Sequence, residues 1–143
     1  MKRRFIGKSA IPLLVILLAT NASCSLSKDR KIAEQAVVQF HDEFNSGKYQ
    51  DIYDKTDDTL RKFTNRSDLA KKFGFFHERL GIVKSSTCVA WSVFATTMGT
   101  TARFQYDTEF SGGMARETFS FLVTGGHARL ESYLLSSPLL DTK

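Results

Sequence analysis

The chain has 143 residues, which suits one domain, and its 12 Phe, 4 Tyr and 1 Trp supply bulky material for a single core. Its formal net charge of +5 arises mainly in residues 1–23, which contain Lys2, Arg3, Arg4 and Lys8 and no acid. The remaining residues carry 16 basic and 15 acidic side chains of alternating sign, which excludes nucleic acid as the main partner.

Residues 1–23 are predicted to be a secretion signal. A basic segment from Met1 to Lys8 precedes the apolar run IPLLVILLA at residues 11–19. This run is much shorter than the roughly 20 residues of a transmembrane helix, and it fits the apolar region of a signal peptide. We therefore expect an exported protein of the cell envelope.

Cys24 follows a stretch of small residues, and this arrangement resembles a bacterial lipoprotein signal. The resemblance implies a lipid on Cys24, a spacer at residues 24–28 and, from Ser25, sorting to an outer membrane facing the periplasm. Asn21 departs from the pattern, where an aliphatic residue is usual. The alternative is cleavage after Ala22, which leaves a soluble periplasmic protein and permits a Cys24–Cys88 disulfide.

Three helices are predicted before the first strand, because apolar residues recur there at spacings of three and four. The first covers residues 29–46 and ends at Gly47, the second covers 48–58, and the third is capped by Ser67 and ends at Gly81. Residues 59–64 fit either a short extended strand or a helical tail.

From Val83 the apolar period changes to two, which predicts strands at 83–97, 101–111, 114–124 and 127–136. Glycine-containing pairs at 99–100, 112–113 and 125–126 suit two-residue hairpin turns. All three registers place one apolar set, which includes Val89, Trp91 and Leu134, on a single face. The sequence thus predicts an α+β domain at 29–136, with helices over a curved antiparallel meander, and a loose tail at 137–143.

The order of elements resembles the nuclear-transport-factor-2-like (cystatin-like) superfamily, and in particular its small envelope proteins. Three segments carry the likeness: AVVQFHDEFNSGKYQDIYD at residues 36–54, LGIVKS at 80–85 and RLESYLL at 129–135. The resemblance implies a cone-shaped sheet with an open pocket. Because the superfamily includes isomerases, dehydratases and many non-catalytic modules, it does not fix the activity.

One acid, Glu117, is predicted to lie on the apolar face. The register places it in a pocket with these lining residues: Trp91, Tyr106, Thr108, Phe119 and Ser132. A partly desolvated carboxylate there would suit a general base, with Tyr106 or Thr108 as a donor. The alternative is a carboxylate at the rim, either wet or paired with a helix Lys, Arg or His.

The other face is predicted to be polar, with four apolar residues on it: Phe94, Leu122, Tyr133 and Leu135. They are interpreted either as scattered surface residues or as the face of a homodimer. No metal site and no cofactor are expected, because His41, His77 and His127 lack ligand spacing and the glycine pairs belong to turns.

Three functions remain open from the sequence. The first is a non-enzymatic envelope lipoprotein that binds a small apolar ligand or a partner protein. The second is a lyase or isomerase that uses Glu117, and the third is a structural subunit that dimerises.

Overall fold

The computed structural model describes residues 19–141, with side chains from Cys24 onward. Helices α1 (Ala19–Asn45), α2 (Tyr49–Asp54), α3 (Asp58–Arg61) and α4 (Arg66–Leu80) come first. Strands β1 (Val83–Thr96), β2 (Gly99–Phe110), β3 (Gly113–Thr124) and β4 (His127–Ser136) follow, before a 3-10 turn at Pro138–Leu140. The sheet is antiparallel with the order β1-β2-β3-β4, which confirms the α+β class and the meander.

Residues 1–18 of the predicted signal lie outside the described residues, and so do residues 142 and 143 of the predicted tail.

The helical region differs from the prediction between residues 55 and 67. The predicted second helix ends early because the Asp57 N–H donates to the Leu130 carbonyl of β4. Residues 58–61 then form α3, whose N-cap is Asp57, so residues 59–64 do not contain a strand. Helix α4 is capped by Asn65, whose side chain accepts from the Asp68 N–H, and not by Ser67 as predicted.

The three hairpins keep the predicted faces next to their turns, although two of the turns fall earlier. Val123 pairs with Ala128 as predicted. The first two turns are Thr97–Met98 and Ser111–Gly112, and next to them each change moves a residue's partner by an even number of positions. A bulge between Cys88 and Ala90 then inverts the first half of β1, so that Cys88 pairs with Tyr106 and its placement on the open face was wrong. A Cβ on Gly99 would lie 2.5 Å from the Val123 carbonyl oxygen, so this glycine is needed where two strands approach closely.

A bulge in β4 changes the faces of its second half. Ser120 pairs with Ser132 but Phe121 pairs with Leu130, so β4 contains one extra residue. Tyr133 is therefore buried and Leu135 packs against the core, while Leu134 is 66% exposed. The placements of Tyr133 and Leu135 on the open face, and of Leu134 on the covered face, were wrong.

The core lies between the helices and strands β2 to β4. Its centre is aromatic, with the buried rings of Phe40, Phe44, Phe73, Phe104 and Phe119. Strand β1 differs, because all of its residues are partly or fully exposed. The prediction that Trp91 is covered was therefore wrong: its side chain is 53% exposed.

Candidate functional site

Glu117 of β3 lies at the centre of a buried hydrogen-bonded cluster. The Thr108 hydroxyl donates to Oε2 at 2.5 Å, and the Tyr133 hydroxyl donates to Oε1 at 2.6 Å. His41 Nε2 lies 2.7 Å from Oε2, and with the carboxylate ionised its N–H donates there. Glu117 itself is 0% exposed.

Four elements bring this cluster together. His41 comes from α1, Thr108 from β2, Glu117 from β3 and Tyr133 from β4. His41 lies beside Phe40 on α1 and contacts the Phe119 ring at a centroid distance of 5.8 Å, which fixes the imidazole against the sheet. The bulge in β4 is what turns Tyr133 toward the carboxylate.

The polar groups of this cluster satisfy one another's hydrogen bonds. Burial, and then the neighbouring Glu117 carboxylate, raise the pKa of Tyr133 well above its ordinary value of 10.0, so the phenol stays protonated as a donor. Among the described residues, every buried side-chain nitrogen and oxygen has a hydrogen-bond partner. A buried carboxylate with three partners stabilises a defined interior, and both of its oxygens are already engaged.

The predicted pocket lining is only partly brought together. Thr108, Glu117 and Phe119 are at 0% exposure, and Tyr106 is at 8%. Ser132 lies on the opposite face of β4 and is exposed, again because of the bulge. Trp91 lies on the uncovered strand, where the Arg30 guanidinium sits 3.8 Å from its ring centroid. Aromatic rings thus fill the region in which a pocket was expected.

Glu117 was predicted from the sequence, and its contact with His41 confirms the alternative that a helix His pairs with it, although which residue would do so was not predicted. His41 is 76 residues away along the chain, and only its position at the edge of the α1 stripe indicated that it approaches the sheet. Tyr133 was assigned to the open face, because the strict alternation of β4 gives no sign of its bulge.

Tyr106 forms a second polar site, between α1 and β1. It pairs across the sheet with the exposed Cys88 of β1. Burial, followed by the influence of Cys88 and Glu34, raises the pKa of Tyr106 to about 12. Because the thiol of Cys88 is exposed on the uncovered strand, it is open to reagents in the folded protein.

The two edges of the sheet differ in how far other parts of the chain cover them. The β4 edge is covered at Leu130, which accepts from the Asp57 N–H at 3.0 Å and donates to the Lys55 carbonyl at 2.9 Å. The β1 edge faces solvent, and Lys84 is the single charged residue among the 14 of this strand. Its exposed apolar side chains include Val89, Trp91 and Phe94. Long uncharged edges are normally blocked, since they pair readily with other strands.

A cleft of about 330 Å³ lies between α1, the end of α2 and the β3–β4 turn. One wall presents Gln35 and Gln39, one helical turn apart, and the other presents His127 and Arg129. Its floor includes the apolar Ile32, Ala36 and Ala128. The cleft is therefore polar on its walls and suits a small ligand with acceptor or anionic groups.

Among residues 19–141, no group of three His, Cys, Asp or Glu side chains is placed to hold a metal ion. Within the same span no helix is both long enough and apolar enough to cross a membrane.

Comparison with known proteins does not assign the chain. No family model matches it, and no curated protein matches it significantly.

Proposed function

We propose that this protein is an exported, non-enzymatic envelope lipoprotein that binds a partner protein along the open β1 edge. The observation that carries the proposal is the contrast between the two sheet edges. Lys55 and Asp57 occupy the backbone groups of Leu130 at the β4 edge, whereas among the described residues β1 is exposed beyond its first residue, Val83, whose backbone groups bind the Asn45 side chain.

The address rests on the sequence alone. A basic segment, a short apolar run and Cys24 favour export followed by lipidation, and Cys24 is exposed at the start of the described side chains. Helices stacked on one face of a four-stranded meander are also what the nuclear-transport-factor-2-like superfamily would supply. We therefore also propose that the protein is a member of that superfamily and shares its cone-shaped sheet.

The non-enzymatic part of the proposal is supported by Glu117. A general base must reach the proton that it abstracts, within about 3 Å or through one water. Glu117 is fully buried, and its oxygens already accept from Thr108 and Tyr133 and contact His41. The carboxylate thus has a structural task that accounts for its burial.

The residues of β1 indicate what kind of segment could bind at its edge. A strand added to an edge gains main-chain hydrogen bonds, while side chains on alternate positions give specificity. Because Lys84 is the only charge on β1, whose exposed apolar residues include Val89 and Trp91, a matching segment would be extended, nearly uncharged and partly apolar.

The experiment compares two exposed strand residues at opposite edges. Mature protein carrying Val89→Lys, or Leu134→Lys as the matched control, is used to recover partners from detergent-solubilised membranes of the cells that produce it. Val89 is 47% exposed and Leu134 is 66% exposed, so neither change disturbs the core. We expect a stoichiometric partner that is lost with Val89→Lys and retained with Leu134→Lys.

Two results would count against the proposal. Equal recovery with both variants would remove β1 as the binding edge. Self-association that Val89→Lys abolishes, with no other protein recovered, would instead favour the dimerising subunit.

A second candidate is small-ligand binding in the cleft beside Gln35, Gln39 and Arg129. The volume of about 330 Å³ favours it, and its polar walls indicate a polar ligand instead of the apolar one expected from the sequence. Loss of a co-purified ligand from an Arg129→Gln variant, detected by native mass spectrometry, would support this candidate.

A further inference from the structure

The two ends of the sheet are attached to helix α1 at separate positions, Asp29 within the helix and Asn45 at its last residue. At one end, the Thr100 hydroxyl donates to Asp29 Oδ2 at 2.6 Å. At the other end, Asn45 exchanges hydrogen bonds with the backbone of Val83. The Thr97–Met98 and Gly125–Gly126 turns therefore lie beside the start of the domain, and the Ser111–Gly112 turn lies at the far end.

We call the first of these the anchor end, defined by residues 28–31, 97–99 and 125–129. It exposes three basic side chains, Lys28, Lys31 and Arg129, and among the described residues none of them forms an ion pair. Its one acid, Asp29, is engaged with Thr100. The basic charge at this end is therefore not neutralised within the domain.

The remaining basic residue of the anchor end, Arg30, is occupied by an ion pair with Glu34 and by the Trp91 ring. The far end carries charges of both signs, because it exposes the acids Asp42 and Glu109 as well as Lys48 and Lys84. The anchor end thus differs in exposing three basic side chains beside a single acid that is already engaged.

Two further features lie at the anchor end. Met98, at the tip of the β1–β2 turn, is 71% exposed and extends an apolar side chain from the domain. Cys24 precedes Asp29 by five residues on the same continuous helix, a rise of about 7.5 Å. A lipid on Cys24 would hold the anchor end close to the bilayer.

We propose that the anchor end docks on an anionic lipid bilayer, with Lys28, Lys31 and Arg129 at the headgroups and Met98 in the interface. This inference rests on the lipid proposed for Cys24. Basic residues close to an anionic surface bind it favourably, and this attraction adds to that of a lipid chain. Docking would orient the strands away from the membrane and leave the β1 edge open to partners.

The test uses two exposed methionines at opposite ends of the sheet as reporter positions. Met98 lies at the anchor end, and Met114, which is 56% exposed, lies at the far end. The 12 residues of β2 separate the ends by roughly 36 Å. Met98→Trp and Met114→Trp are each made in a Trp91→Phe, Cys88→Ser background, in the chain that begins at Cys24 and contains the whole described core.

The protein is coupled through Cys24 to a maleimide lipid in vesicles of phosphatidylcholine with or without phosphatidylglycerol. Because the anchor is attached chemically, the outcome is independent of whether cells lipidate Cys24. We expect brominated lipids to quench the tryptophan at 98 but not at 114, only in the phosphatidylglycerol vesicles. High salt should weaken the quenching.

The basic residues are tested by neutralising them together. Lys28→Gln, Lys31→Gln and Arg129→Gln should each lower the docked fraction relative to the undocked fraction about fivefold, or on the order of a hundredfold combined. The control set Lys48→Gln, Lys71→Gln and Lys84→Gln removes the same charge from other exposed positions and should leave the quenching nearly unchanged.

Three outcomes would overturn the inference. They are quenching at neither position, equal quenching at both positions, and quenching at 98 that is the same without phosphatidylglycerol.

Discussion

Replacing Glu117 by Gln should destabilise the domain, because the change removes the charge from a fully buried hydrogen-bond acceptor. The carboxylate takes part in three hydrogen bonds, with His41, Thr108 and Tyr133. Bonds to a charged group each contribute about 1.5–3 kcal/mol, against about 1 kcal/mol for neutral ones. Since Gln keeps the shape and can satisfy part of the network, we expect a loss of roughly 2–4 kcal/mol of unfolding free energy.

The assay is equilibrium unfolding in urea, followed by circular dichroism at pH 7. The midpoint should fall without a change in slope, since the buried surface is retained. Glu109→Gln is the matched control: Glu109 is exposed on β2, so its replacement should alter stability by no more than about 0.5 kcal/mol. If Glu117→Gln were as stable as Glu109→Gln, the interior cluster would not have the structural role assigned to it.

Three other variants or conditions test separate parts of the structure. Stability should fall as pH rises above 10, because the unfolded state releases the Tyr133 proton first while the raised pKa retains it in the fold. Tyr133 contributes about 1.4 kcal/mol per pH unit to this slope, in addition to Tyr106, whose pKa is also raised, and Tyr133→Phe should remove that contribution in denaturation curves recorded up to pH 12. The Cys88 thiol of the native protein should react with a disulfide reagent as fast as a small exposed thiol does. A slow reaction that becomes fast only in urea would show that β1 is covered. Cys24→Ala should release the protein from membranes in cell fractionation, and unchanged membrane association would exclude the lipid anchor.

The sequence predicted the order of the elements and the faces of β2 and β3, because hydrophobic periodicity survives small errors in the turns. Moving the first turn from 99–100 to 97–98 changed the partners of Phe104 but kept it on the covered face. The last hairpin has the predicted pairing of Val123 with Ala128. Such features depend on local pattern, which a single sequence contains.

Two properties of the site depended on information that local pattern does not contain. The bulge beside Ser120 inverts Tyr133 and Leu134, although the residues of β4 alternate as a regular strand would. The approach of His41 to Glu117 depends on how α1 crosses the sheet, a tertiary relation over 76 positions. Glu117 itself was identifiable, because an acid among regularly spaced apolar residues is unusual in a strand.

The exposure of β1 was also missed, for a related reason. Its alternating apolar residues predict a covered face, but the core aromatic residues of the helices pack mainly against β2 to β4. An uncovered edge strand is what the proposed partner binding at β1 would require, since its outward backbone groups must be free to pair.

Amide hydrogen exchange along β1 tests the binding proposal most directly. The measurement compares native protein in its own membranes with the purified mature domain, strand by strand. We predict slow exchange for the outward-facing amides of β1 after Val83 in membranes and fast exchange after purification, with His127–Ser136 unchanged. The same exchange rates along β1 in both samples would contradict a partner strand at this edge.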